Sequence, residues 1–229
     1  THCISSAASD VYKRQEQDFA FVYFDAALDL HTATLAQGCD AVCVFVNDRL
    51  DAPVLQALHA QGVRAVLLRC AGFNNVDLAA ATSLGLFVAR VPAYSPEAVA
   101  EHALALVMTL NRQTHRAYNR VREGNFMLDG LLGHTLHGRT VGIVGTGKIG
   151  VATARIFKGL GCTVLGHDPY PSASFAGLGE NVALAELLSR ADIVSLHCPL
   201  TADTHHLIND ASLAQMKAGA MLVLSLIHI

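Results

Sequence analysis

Along this chain the apolar positions follow two rhythms. Short, nearly unbroken runs rich in valine, isoleucine and leucine alternate with longer stretches in which apolar residues return every three or four places. The first pattern is that of a strand buried on both faces, the second that of an amphipathic helix. Strands are expected at 19–24, 41–46, 63–69 and 87–91, with helices at 53–61 and 77–84 and a short helix or connection at 28–35. Pro53 suits a first helical turn, and Gly62 and Gly85 stand where helices close. A long helix opens at Ser95-Pro96-Glu97, where serine caps, proline takes the first position and glutamate meets the positive end of the dipole. Val99, Ala103, Leu106 and Leu110 form its expected apolar stripe, and it runs to about Arg122, ending near Gly124. Strands return at 139–144, 162–167, 192–197 and 221–224, with helices at 149–160, 184–189 and 211–215. Strands alternating with helices through short links imply parallel sheets. The expected fold class is α/β, two parallel-sheet domains with the long helix as hinge.

One junction carries chemistry. Val144 closes a strand, and Gly145-Thr146-Gly147-Lys148-Ile149-Gly150 fits G-x-G-x-x-G at the start of a helix. Gly145 permits the tight turn, Gly147 lets a pyrophosphate approach the backbone, and Gly150 lets helix and strand pack closely. The N–H groups of Gly147, Lys148 and Ile149 would face the phosphates, helped by the helix dipole. Asp168 ends the next strand, where a carboxylate accepts hydrogen bonds from the adenosine ribose and repels a 2′-phosphate. Pro169 and Tyr170 follow it rather than an arginine, so NAD is expected over NADP. The plainer alternative is a strand-turn-helix with no ligand. Strand, glycines, helix and acid in one register favour the dinucleotide.

Composition narrows the class. Of 229 residues, 52% are hydrophobic and 15% charged, a core-building balance rather than a disordered one. The net charge of -3 comes with no basic run, which argues against nucleic acid and anionic membrane as partners. No apolar run approaches a bilayer-spanning length, and the first ten residues lack the charged and apolar regions of a signal peptide. The six cysteines form no C-x-x-C or Cys/His framework, so reduced thiols in a cytoplasm are expected. His134 with His137, and His205 with His206, are the tightest histidine groupings, but neither has a third ligand nearby, and no metal site is expected.

Five motifs together resemble a family. Arg69-Cys-Ala-Gly-Phe-Asn-Asn-Val-Asp77, Val91-Pro-Ala-Tyr-Ser-Pro-Glu-Ala-Val-Ala-Glu-His102, the glycine turn, His167-Asp-Pro-Tyr170 and His197-Cys-Pro-Leu-Thr201 are similar to the D-isomer-specific 2-hydroxyacid dehydrogenases. The resemblance implies a flavodoxin-like substrate domain at 16–95 and a Rossmann NAD-binding domain at 96–224 with the hinge helix, both incomplete. It implies that Ala71 and Gly72 offer N–H groups to a substrate carboxylate, and that Tyr94 lines the substrate and nicotinamide pocket. Val99 would pack near the nicotinamide, although periodicity alone makes it a core valine almost as readily. Lys148 and Ile149 would hold the pyrophosphate, Asp168 and Pro169 the adenosine, and Cys198, Pro199 and Thr204 the adenine-ribose side. His197 does not match the family's catalytic histidine.

The implied activity is reduction of a small 2-keto acid such as pyruvate by NADH, in a cytoplasmic homodimer. The alternatives are a hydroxypyruvate or glyoxylate reductase, or a dinucleotide-sensing corepressor-like binding protein. The family's catalytic arginine follows the strand at 221–224, with its glutamate and histidine further on, so no catalytic residue is named in this chain. Residues 1–15 and 225–229 resemble sequencing-adapter read-through rather than native sequence. On that reading residues 16–95 lack their first strand and helix, and the first strand would be internal in a 2-1-3-4-5 sheet. Residues 16–95 would then be the less stable half.

Overall fold

In the computed structural model, residues 2–4, 19–92 and 95–224 are described. The adapter-like stretches at 5–15 and 225–229, and Tyr94, lie outside them. The chain divides into two compact units, Thr1–Tyr94 and Ser95–Ile229.

The first unit is a parallel five-stranded sheet. Its strands are β1 (His2–Ile4), β2 (Phe21–Val22), β3 (Ala41–Val44), β4 (Ala65–Leu68) and β5 (Phe87–Arg90), in the order β2-β1-β3-β4-β5. The expected order is present, but the expected gap is not. β1 pairs with β2 through His2 and Phe21 and with β3 through His2 and Ala41, so both neighbours have their inner edges paired. The expectation that residues 16–95 leave two central edges open is corrected here, because residues within the supposed leader supply the backbone donors and acceptors. Between strands run a 3-10 turn (Ala33–Ala36), α1 (Ala52–Ala60) and α2 (Leu78–Ser83). Asp51 and Asp77 cap the helices, accepting from the N–H groups of Val54 and Ala80. The core gathers Val42, Val44, Leu55, Leu58, Val66 and Leu68. Cys39 is disulfide-bonded, against the expectation of reduced thiols throughout.

The second unit is also all parallel. Its strands are β6 (Thr140–Val144), β7 (Thr163–His167), β8 (Glu180–Asn181), β9 (Ile193–Leu196) and β10 (Met221–Leu224), in the order β10-β9-β6-β7-β8. β6 is central and buried on both faces, which is why it reads as an unbroken apolar run. Val141 and Ile143 point into one core with Val107, Phe157 and Val164. Val144 joins a second core on the other face with Leu165, Leu187 and Leu188. Gly142 has no room for a side chain, since a Cβ there would stand 2.3 Å from Leu187 Cδ2. Helices α3 (Pro96–Arg112) and α5 (Lys148–Gly159) pack against each other, and α6 (Leu184–Arg190) packs on β6 and β7; α7 (Asp210–Gln215) contacts α6.

The long helix expected from Ser95 to about Arg122 is not continuous. It breaks at Gln113, which takes a left-handed conformation (φ +47°), and α4 (Thr114–Arg122) follows as a separate helix. The buried stripe also differs from the expected one: Val99, Ala100, Ala103, Val107 and Asn111 are inside, while Leu110 is exposed. Asn111 explains the end of α3. Its amide donates to His134 O at 2.7 Å and accepts from His134 N–H at 2.8 Å, tying the strandless segment after α4 back to the helix. That bond joins distant residues and leaves no periodic trace. β8, only two residues long and exposed, also had no apolar pattern to announce it.

Candidate functional site

β6 leads to β7 on one side, while β9 flanks it on the other. Strand order therefore reverses at β6, and such reversals open a crevice at the carboxyl ends of the strands. Register aligns those ends. Val144 pairs with His167 and with Leu196, so the turns that leave β6, β7 and β9 meet.

The glycines of the turn have separate reasons. Gly145 has φ +94°, and a Cβ on it would stand 2.7 Å from His197 C and Cys198 N. Its N–H donates to His167 O at 2.8 Å, and His197 N–H donates to Val144 O at 2.7 Å, lacing the three strand ends together. A Cβ on Gly150 would lie 1.9 Å from Gly145 O, so the first turn of α5 rests on the glycine turn itself. Gly147 differs: a Cβ there meets nothing within 4 Å. It is the N-cap of α5 and provides no side-chain cap, so no capping side chain takes up the first N–H groups of this twelve-residue helix. Lys148 is exposed beside them and Ile149 half-buried.

Asp168 stands at the end of β7. Its Oδ2 accepts from Thr146 N–H at 2.7 Å and from the Thr146 hydroxyl at 3.3 Å, and its Oδ1 accepts from Tyr170 N–H at 2.8 Å. Pro169 and Tyr170 are exposed beyond it. After β9, the loop from Pro199 to Thr204 is closed by the Thr204 hydroxyl, which donates to Pro199 O and accepts from Thr201 N–H. Cys198 is a half-buried thiol whose pKa burial pushes up, so it is protonated and a poor nucleophile. His197 bonds Ser195 through Nε2 at 2.9 Å, while its Nδ1 is buried with no partner. Burial lowers its pKa to about 4, leaving a neutral imidazole at working pH. It is no proton donor there.

A family model described as the NAD binding domain of D-isomer specific 2-hydroxyacid dehydrogenases matches residues 104–224. The chain belongs to the D-isomer-specific 2-hydroxyacid dehydrogenase family. It is 62% identical over 201 residues to 2-hydroxyacid dehydrogenase A of Aspergillus oryzae, covering 88% of this chain and 58% of that protein's length. The apo structure of D-lactate dehydrogenase from Escherichia coli matches with a TM-score of 0.88 and 52% identity, over 97% of this chain and 72% of that one. D-lactate dehydrogenase from Aquifex aeolicus, solved with NAD and lactic acid, matches with a TM-score of 0.85 and 32% identity over 97% of this chain and 68% of that one. The chain thus spans a little over half the length of its Aspergillus relative.

The α/β fold and the family's NAD-binding domain are therefore present in this chain. The residues suit the dinucleotide, because the open space over Gly147 at an uncapped helix start is a cradle that any larger side chain would fill. The structure gathers Gly145, Gly147, Lys148, Ile149, Gly150, Asp168, Pro169, Cys198, Pro199 and Thr204 around the carboxyl ends of β6, β7 and β9. Val99 is buried near the start of α3, in the position of a core residue. Ala71 and Gly72 follow β4 in the first unit. Arg90 donates to Ala71 O at 2.9 Å, the Cys70 thiol donates to Gly72 O, and a Cβ on Gly72 meets nothing within 4 Å. Thr146 is absent from the residues expected from sequence, although it bonds Asp168. A hydroxyl inside a glycine turn was the available signal for Thr146.

Proposed function

We propose that the full-length protein is an NAD-dependent dehydrogenase that interconverts a small 2-keto acid, pyruvate first, and its D-2-hydroxy acid. The observation that carries this reading is the glycine cradle of a family member with a carboxylate fixed at the end of β7. In it the backbone at Gly147, Lys148 and Ile149 binds the pyrophosphate, and Lys148 adds a cation at the rim. Asp168 accepts a ribose hydroxyl and disfavours a 2′-phosphate through like-charge repulsion. Pro199 to Thr204 bounds the adenine-ribose side. Ala71 and Gly72 present N–H groups to the substrate carboxylate, and Tyr94 and Val99 shape the nicotinamide surroundings. Bound NADH supplies the hydride. Neutral His197 stays out of proton transfer.

A homodimer accords with the segment after α4, where Phe126, Met127, Leu128 and Leu132 are all exposed. No helix among the described residues is long and apolar enough to cross a membrane. We place the protein in the cytoplasm on the thiols of Cys70, Cys162 and Cys198, and Cys39 is the residue that speaks against it.

Steady-state kinetics of the full-length protein with pyruvate, glyoxylate and hydroxypyruvate, each with NADH and NADPH, test the reading. It predicts the highest kcat/KM for pyruvate with NADH. A higher value for hydroxypyruvate or glyoxylate moves the assignment to those reductases. Tight NADH binding with none of the three acids reduced favours the sensor. The 229-residue chain itself is expected to oxidise NADH with pyruvate no faster than a blank.

A further inference from the structure

Asp168 is a half-buried side chain at the end of a strand, free by position to turn toward solvent. It does not. A carboxylate has about four lone-pair sites, and three are taken, by Thr146 N–H and hydroxyl on Oδ2 and by Tyr170 N–H on Oδ1. One remains, on Oδ1. The hydroxyl of Thr146 is held in turn, since Ser172 N–H donates to it at 3.2 Å. Its methyl is held too: a Cβ on Gly166 would stand 3.0 Å from Thr146 Cγ2, so the methyl rests on the bare backbone of β7. The whole side chain is shut away from solvent. A β-branched residue fixed at both branches has one rotamer.

We infer that Thr146 is a positioning residue for cofactor choice: it presets the Asp168 carboxylate, reserving Oδ1 for one ribose hydroxyl and keeping the charge where a 2′-phosphate would come. The inference rests on the NAD reading above and deepens it. Discrimination then belongs to a clamp that spans the glycine turn, the acid and the loop at Ser172, rather than to the acid alone. Losing the hydroxyl leaves Oδ2 one bond short and frees Ser172 N–H, so the carboxylate gains rotamers. NADH loses a preset acceptor, while NADPH loses part of the repulsion that opposed it.

The test uses the full-length protein, with dissociation constants for NADH and NADPH read by nucleotide fluorescence and folding checked by circular dichroism. Thr146→Val keeps the shape and removes the hydroxyl. It is expected to weaken NADH binding about tenfold, the scale of one hydrogen bond to a charged group, and NADPH binding much less, so the ratio of the two constants narrows. Thr146→Ser is expected to restore that ratio to within about twofold of wild type. Equal weakening of both nucleotides, or an unchanged ratio, overturns the inference, because a merely structural threonine would act on both alike. If Thr146→Val does not fold, Ser172→Pro decides. It removes the N–H donor at a residue whose φ of -67° proline adopts, and again a narrowed ratio supports the inference and an unchanged one overturns it. Wild-type protein that prefers NADPH, or binds neither nucleotide, defeats the NAD reading before any variant is made.

Discussion

The helices of the two units begin differently. In the first unit α1 and α2 start under Asp51 and Asp77, whose carboxylates take up N–H groups of the first turn. In the second, α5 starts at Gly147 with nothing over it. An absent cap is not by itself the mark of a site, for α6 also starts uncapped, at Ala183. What sets α5 apart is that its cap is a glycine with open space where a side chain would stand, on a turn clamped from below by Gly145 and Gly150. The first unit satisfies its helix starts internally. The second leaves one without a side-chain cap and builds closely packed backbone beneath it.

Substitutions can break that contrast. The largest effect is expected from Gly150→Ala. Its methyl would meet Gly145 O, a backbone atom that cannot move aside. A loss of about 3 kcal/mol in stability and of measurable NADH binding is expected, read by thermal denaturation and nucleotide titration. The same change at Gly72, which has empty space around it, is expected to leave stability within about 0.5 kcal/mol. Equal losses at the two positions would erase the distinction between a clamped turn and an open one.

The next effect concerns pH. His197 has a folded pKa near 4 against an unfolded value near 6.5. Between those values the unfolded chain holds a proton that the folded chain does not, so stability rises with pH across the window. It is fully present above about 6.5 and falls by about 3 kcal/mol as pH drops toward 4. His197→Gln should flatten that part of the profile, measured by urea denaturation at stepped pH. A slope unchanged by the substitution would assign it to other groups.

Smaller, and opposite in its two readouts, is Gly147→Asp. Gly147 has φ -67° and room for a side chain, so aspartate fits and caps α5. Stability is expected to rise by about 1 kcal/mol, while NADH binding falls at least tenfold, on the order of 1.4 kcal/mol, as the carboxylate meets the pyrophosphate. A gain in stability with no loss of binding would mean that the helix start is not the phosphate site. The smallest expected effect is Asp77→Ala in the first unit, about 1 kcal/mol of stability from a lost cap, with the NADH dissociation constant unchanged.

Some of this was readable in advance because it is local. The central strand β6 announced itself by unbroken apolar residues, since both of its faces are covered. The cap at Ser95 acts within a few residues, and so do the tight turn at Gly145 and the close packing at Gly150. The order β2-β1-β3-β4-β5 was also anticipated, but β1 itself was not, because its segment resembled no native strand.

The sequence by itself determined the alternation of strands and helices, the glycine turn and the acid that ends the following strand, since each depends on backbone freedom or on the spacing of neighbouring side chains. Only the tertiary structure decided that α3 stops at Gln113, that Asn111 is buried to hold His134, that His197 is buried and neutral, and that Thr146 grips Asp168. Thr146 and Asp168 are 22 residues apart in sequence and meet only because β6 and β7 pair in register. Hydrophobic period and turn chemistry record a residue's neighbours along the chain. They hold no record of the hydrogen bonds and burial that arise when distant strand ends are brought side by side.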